Sequence, residues 1–345
     1  MTPSDTYVLY RTPHSSTYTY IRQKSTPRSF RSIADVPLSG GYVIVPFCVS
    51  DECPIVFVEP NEIEQADVVL PQFTTSTTND FCTDEEAEKT AYTQAFAHIK
   101  QLLNAPSHPL QKIVLSRRLH CMGLQPQEST ELFLKACHYR PASYVALWHT
   151  PQTGSWLVAT PEPLLEYAHH QWRTVALAGT LPYVEGEEAQ WNEKNREEQA
   201  IVARFIEEQL APIASAVHHS PTFTLTTGNL QHLCTDFSFG LQNDTDVRQV
   251  LSRLHPTPAV CGLPREEALQ AILDNEQGSR RYYAGFSGPL HLQGQTHLYV
   301  TLRCMQFSDS EATLYAGGGI MPQSIEQEEW DETRRKLMTM RELLI

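Results

Sequence analysis

RYYAGFSGP (281–289), TLRCMQF (301–307) and LYAGGGIMPQSIEQEEWDETRRK (314–336) follow one another near the C-terminus. Three glycines, Gly317, Gly318 and Gly319, come straight after an apolar, strand-like LYA; Arg303 sits inside an alternating, strand-like segment; a carboxylate-rich helix start closes the run. Glycines without Cβ let backbone N–H groups approach a ligand closely, as anion-binding loops require. Arg303 can pair bidentately with a carboxylate. Glu328, Glu329 and Glu332 offer the hard oxygen ligands that Mg2+ prefers. Read plainly, a triple glycine is a turn and a glutamate run is a solvated first turn matched to the helix dipole. The rest of the chain decides between the two readings.

With 345 residues, 41% of them hydrophobic, the chain can build one large domain or two modest ones. Its formal net charge of −14, without clustered Lys and Arg, argues against a nucleic acid or an anionic membrane as partner. An anionic ligand must then be captured by local positive features. Eight cysteines (48, 53, 82, 121, 137, 234, 261 and 304) contain no CxxC pair, which suits reduced thiols in a cytosolic core rather than a disulfide framework or a zinc site. MTPSDTYVLYRTP at the start has no apolar signal core, and no run of about 18 apolar residues offers a membrane span. The cytoplasm is the expected compartment.

Outward from the opening stretch, residues 1 to about 80 read as short strands, TYVLY (6–10), GYVIVPF (41–47) and PIVFV (54–58), between Pro, Ser and Asp breaks. The basic RQKSTPRSFRS (22–32), with Phe30 its one aromatic, lacks the interleaved stacking aromatics of a binding site and reads as a surface loop. Thr83 with Glu86 makes a capping box for an amphipathic helix running to residue 104. LQKIVLSRRLH reads as a strand with Lys112 at its start, a place where lysine is ordinarily a solvent-facing edge residue. A helix at ELFLKACHY and strands at SYVALWHT and SWLVAT follow, and Pro161 and Pro163 then fix the backbone on both sides of Glu162. TVALAGTLP (174–182) reads as a strand that breaks at Gly179. In the helix from about Trp191 to Leu210, Ile201, Val202, Phe205, Ile206 and Leu210 define one face; Glu198 falls near its centre, Glu193 and Glu197 off it. A carboxylate on a buried face needs a metal, a basic partner or a proton. A hairpin around Gly228-Asn229 carries His232, ordinarily a hydrogen-bonded structural histidine, and a Pro-rich connection leads to a short helix at 265–274.

In order, KIVLSRRL, ATPEPLL, ALAGTLP, KNREEQAIV, NLQHL, LHPTPAVCGLPR, RRYYAGFSG, TLRC and AGGGIMPQSIEQEEWDET resemble the motifs of the chorismate-utilising enzymes. That family comprises isochorismate synthase, salicylate synthase and component I of anthranilate and aminodeoxychorismate synthases. The resemblance covers residues 88–340. It implies an α+β fold like that of anthranilate synthase component I, with large, mostly antiparallel sheets flanked by helices. A catalytic domain over 86–345, with N-terminal strands of 1–85 packed on it, is expected.

By the same resemblance, Lys112 activates water for attack on C2 of chorismate, which requires its amine to shed a proton. Glu162 is the general acid that protonates the departing C4 hydroxyl and needs a raised pKa. Glu198 and Glu332 hold Mg2+ against the ring carboxylate, with Glu329 supporting its water shell. Arg303, Tyr283, Gly285, Gly318 and Gly319 receive the substrate's carboxylates, His232 lies near the reacting C4 side, and Gly179 and Thr180 line the pocket. Two departures stand out. Gln199 follows Glu198 where the family often has His, and the apolar stripe of Trp330, Leu337, Met338 and Leu344 leaves Glu332 on the opposite side. Glu332 therefore rests on the resemblance alone.

Enzymes that aminate chorismate at C4 carry a lysine where this chain has Ala178. Anthranilate synthases usually lack the lysine matching Lys112, use ammonia from a glutaminase partner, and carry a longer N-terminal region than the 85 residues before the main domain here. Water is the expected nucleophile and isochorismate the expected product, for menaquinone or siderophore synthesis, with no glutaminase subunit. Salicylate synthase, which goes on to eliminate pyruvate, is the alternative, and anthranilate synthase component I comes behind it.

Overall fold

The computed structural model of the chain describes residues 6–70, 85–122, 129–168, 170–243, 245–308 and 311–344. Six strands come first, β1 (Thr6–Arg11), β2 (Thr17–Gln23), β3 (Arg28–Phe30), β4 (Gly41–Val45), β5 (Ile55–Val58) and β6 (Glu62–Asp67), then helix α1 (Glu85–Asn104). β7 (Lys112–Met122), α2 (Ser129–Tyr139), β8 (Tyr144–Thr150), β9 (Gly154–Thr160), β10 (Pro163–Ala168) and β11 (Gln171–Pro182) lead to α3 (Glu193–Leu210). After it come β12 (Ser215–His219), β13 (Phe223–Thr227), β14 (Leu230–Gly240), α4 (Thr245–Leu254), β15 (Gly262–Leu263) and α5 (Arg265–Asn275). β16 (Phe286–Leu290), β17 (Thr296–Val300), β18 (Cys304–Phe307), β19 (Glu311–Ile320) and α6 (Glu326–Arg341) complete the order.

Two large sheets result. The first has the order β15-β7-β19-β18-β9-β8-β1-β2-β6, the second β12-β14-β11-β10-β17-β16-β4-β5-β3, with β13 also on β14. Strand pairs throughout are antiparallel, as in β7 with β19 and β11 with β14. Strands from the first 67 residues extend both sheets, β1 pairing with β8 and β4 with β16, so the sheets run across position 85.

The central strands of the first sheet are buried on both faces, which explains why SYVALWHT is apolar almost without alternation. Tyr144, Ala146 and Trp148 point into the core shared with the second sheet, while Val145 and Leu147 point to a smaller core under α2 and the end of α6. At the centre of the larger core Trp156 has no exposed surface. Its ring stacks on Tyr315 at 5.4 Å and meets Tyr282 edge-on at 5.9 Å, and its Nε1–H donates to the Thr153 carbonyl at 3.1 Å.

Several local expectations change. β11 does not break at Gly179; it runs on to Pro182 with a register shift between Ala178 and Thr180, and Gly179 takes the extra position at φ +73°. Gly317, Gly318 and Gly319 form no turn or anion-binding loop. They continue β19, opposite Ser116, Leu115 and Val114. Lys112 is no edge residue, since β15 covers it and it is fully buried. Part of the basic stretch 22–32 is strand, in β2 and β3, with Lys24 on Glu62 and Arg28 on Glu59. α4 went unanticipated, and α3 begins after Asn192, whose side chain accepts from the Asn195 N–H. Cys82 and the capping residue Thr83 lie outside the described residues; the other seven cysteines are free thiols. No described helix is long and apolar enough to cross a membrane.

Replacing Trp156 with Ala should cost about 3–5 kcal/mol, the range for a buried aromatic truncated to Ala. A lower urea midpoint at unchanged slope would register the loss; an unmoved midpoint would refute the central role of this ring.

Candidate active site

The chain passes between the sheets many times, and two of these passages run side by side. Residues 161–162 join β9 of the first sheet to β10 of the second, and residues 301–303 join β17 of the second to β18 of the first. They are stitched together by the Val300 N–H donating to the Glu162 carbonyl and the Ala159 N–H donating to the Arg303 carbonyl, each at 2.9 Å. Where the sheets exchange strands in this way a cavity opens between β11, β19, α3 and α6.

Glu162, Gly179, Thr180, Glu198, His232, Tyr283, Arg303, Gly319 and Glu332 all line this cavity. Lys112, Gly285, Gly318 and Glu329 do not reach its wall. Gly285 packs against the β4 backbone, where a Cβ would overlap the Val45 carbonyl. The other three stand just behind the wall, and the glycines of β19 explain how. A Cβ on Gly317 would lie 2.8 Å from the Tyr283 hydroxyl, one on Gly318 3.3 Å from Glu329 Oε2, and one on Gly319 3.0 Å from Lys112 Cε while overlapping Glu198 Oε1. Each missing methyl is space taken by a polar side chain. Lys112 Nζ lies 3.0 Å from Glu198 Oε1, yet makes no hydrogen bond of good geometry with any described group.

Electrostatics sort the cavity groups. Burial pushes the Glu162 carboxyl up to about 7, against the pull of Lys112, Lys336 and Arg303. Burial, helped by Arg303 and Lys336, pushes His232 down to about 3, so its ring is neutral. That ring contacts the Gly179 carbonyl through Nδ1 at 3.0 Å and Arg303 Nη2 through Nε2 at 3.4 Å. The tautomer with the proton on Nδ1 satisfies both contacts. Burial lowers Arg303 to about 10, which leaves it cationic at neutral pH. Its Nη1 is buried without a partner, and its backbone sits at φ +47°, an uncommon conformation for a side-chain-bearing residue.

Burial works to raise the Glu332 carboxyl, but Lys336, 2.6 Å away, and Lys194 outweigh it and hold it low. Burial and the Glu332 charge push Glu329 up, while its ion pair with Lys194 pulls it down. Lys194 is held charged by Glu329, Glu198 and Glu332 despite its own burial, and that contact decides for an ion pair. Lys336 and Lys194 escaped the sequence reading, although their i,i+4 spacing to Glu332 and Glu198 was a usable signal. Helix α6 shows why periodicity missed Glu332. The side of α6 away from its apolar stripe meets a polar cavity, not solvent.

Among the described residues no three His, Cys, Asp or Glu side chains converge as a ready metal cage. The residues still fit a hard cation. Glu198 and Glu332 both face the cavity, and Glu329 Oε2 is a buried oxygen with no hydrogen-bond partner. Mg2+ commonly takes one or two carboxylates and completes its shell with water and substrate oxygens.

The family model described as chorismate binding enzyme matches residues 55–345. The chain belongs to this family. Among curated chorismate-binding relatives, isochorismate synthase EntC of Escherichia coli K12 is 31% identical over 265 residues, covering 73% of this chain and 66% of that protein. The chain thus aligns with slightly less than two thirds of EntC. A putative isochorismate synthase MenF of Mycobacterium tuberculosis is 30% identical over 268 residues, covering 72% of each. Of solved structures, the menaquinone-specific isochorismate synthase MenF of Escherichia coli superposes with a TM-score of 0.82 at 23% identity, covering all of this chain and 90% of that one. Anthranilate synthase component I of Streptococcus pneumoniae gives 0.71 at 17% identity, over 99% and 93%. Both superpositions establish the α+β fold of large antiparallel sheets.

The raised Glu162 carboxyl has a consequence for stability. The folded state holds this proton more tightly than the unfolded chain, so the stability it contributes is complete below about 4.5 and is lost as pH rises to about 7. Glu162→Gln should therefore stabilise the protein at pH 8, by up to about 3 kcal/mol, and have little effect at pH 4.5. Melting temperatures at the two pH values test this; equal effects at both would mean that Glu162 is ionised throughout.

Proposed function

We propose that the protein is a Mg2+-dependent isochorismate synthase, converting chorismate to isochorismate by adding water at C2 and losing the C4 hydroxyl. The carrying observation is Glu162, a buried carboxyl raised to about 7 in a cavity that also holds Arg303. Such a group still carries a proton at neutral pH and can give it to a departing hydroxyl. The proton inventory closes with Lys112, which takes one from the attacking water as Glu162 gives one to the leaving oxygen. Lys112 lies directly behind Gly319, one layer from the cavity, with its Nζ 3.0 Å from Glu198 Oε1, which fills the space a side chain at Gly319 would take.

Arg303 and Lys336 supply the positive charge for the carboxylates of chorismate, and neutral His232 adds no competing charge. Glu198 and Glu332, with Glu329 beside them, would hold Mg2+, which when bound supplies positive charge to a substrate carboxylate. Ala178 on the cavity wall, where aminating relatives carry a lysine, supports water as nucleophile. The curated relatives named isochorismate synthases agree in direction. Action in the cytoplasm without a glutaminase subunit belongs to the same reading.

Incubation with chorismate and Mg2+ should give a mixture of chorismate and isochorismate, resolved by chromatography, and a chelator should abolish turnover. Salicylate with pyruvate would overturn the assignment in favour of the elimination chemistry, and turnover only on adding ammonia would favour an anthranilate synthase. Lys112→Ala should lower the rate about 10²–10⁴-fold, the usual cost of losing a general base; undiminished turnover would remove Lys112 from the mechanism.

A further inference from the structure

The carboxylates facing the cavity stand on two helices that barely touch. Helix α3 packs on β11, β14 and α4, whereas α6 packs on β19 and β7, and no comparable packing joins α3 to α6. Across the gap, Glu198 of α3 and Glu332 of α6 both face the cavity. The positions of these two groups relative to each other therefore depend on what ties the helices together.

One buried tie is present. Lys194 of α3 forms an ion pair with Glu329 of α6, with side-chain exposures of 15% and 1%. Lys194 stands four residues before Glu198 and Glu329 three before Glu332, so on each helix the tie lies one turn from the cavity carboxylate and on the same face. In the segment just before α6, Gln323 Nε2 donates to Glu197 Oε2 of α3, but this link is exposed and stretched to 3.5 Å. Glu329 itself stands behind Gly318, with its second oxygen without a hydrogen-bond partner among the described residues. Losing the Lys194 charge would leave the Glu329 carboxylate buried without its ion-pair partner.

We infer that Lys194 is a positioning residue, whose ion pair with Glu329 clamps α3 to α6 and sets the separation of Glu198 and Glu332 for a divalent cation. This inference rests on the magnesium reading above. The clamp acts through distance. With it closed, the two carboxylates hold the spacing that one small octahedral cation requires. With it open, each helix follows its own sheet contacts and the spacing is no longer defined.

The test uses the full chain and Mn2+ as probe, its binding followed by the electron paramagnetic resonance signal of the free ion, without and with chorismate. Lys194→Met should weaken Mn2+ binding about tenfold or more and raise the Mg2+ concentration for half-maximal turnover in step. Lys194→Arg, which keeps the charge, should stay within about threefold of the parent. Lys194→Gln, which removes the charge but keeps a polar side chain, should also weaken binding, and serves if Lys194→Met does not fold. Wild-type affinity in the folded variants would overturn the clamp. Tighter Mn2+ binding would overturn it too, because Lys194 would then compete with the cation for Glu329. Failure of the unmodified protein to bind Mn2+ in either condition would instead defeat the magnesium reading.

Discussion

The two adjoining passages between the sheets, at residues 161–162 and 301–303, are the constraint on which the rest of this site depends. A backbone leaving a sheet must still satisfy its N–H and C=O groups once buried, and each passage does so partly with the other, through Val300 to Glu162 and Ala159 to Arg303. The pairing puts one carboxyl and one guanidinium at the same depth between the sheets. The left-handed backbone at Arg303 is the local cost of that turn.

Around this junction, space is made by subtraction. Three consecutive glycines in β19 leave room for Tyr283, Glu329 and the Glu198–Lys112 pair without interrupting the strand. A glycine run in a loop would present mobile N–H groups; in a strand paired residue by residue with β7 it presents a rigid floor with no side chains. The polar groups above that floor can thus be buried while remaining close to a ligand.

Charge is handled with similar economy. Glu329 and Glu332 are paired with Lys194 and Lys336 respectively, while Lys112 Nζ stands 3.0 Å from Glu198 Oε1, so the two acids of α6 are not left uncompensated. Arg303 stays cationic, His232 neutral and Glu162 partly protonated at neutral pH. An acidic chain of net charge −14 thereby keeps two cations, Arg303 and Lys336, on the wall of this cavity beside Glu198 and Glu332, and these short-range contacts outweigh distant surface charge screened by salt.

Sequence by itself determined the strands and helices wherever hydrophobic period and breakers agreed, as at TYVLY, PIVFV, SYVALWHT and the face of α3 that carries Glu198. The ordered motifs also named the family. Helix α4 and the bulge at Gly179 stayed hidden, since neither a short helix nor an extra strand residue leaves a clear period. Tertiary structure alone decided that the glycine run is a strand, that Lys112 is buried behind it, and that Glu332 turns to a cavity instead of water. The physical reason is that periodicity reports which side of an element avoids water. It cannot tell a polar side facing solvent from one facing a pocket built by segments hundreds of residues apart.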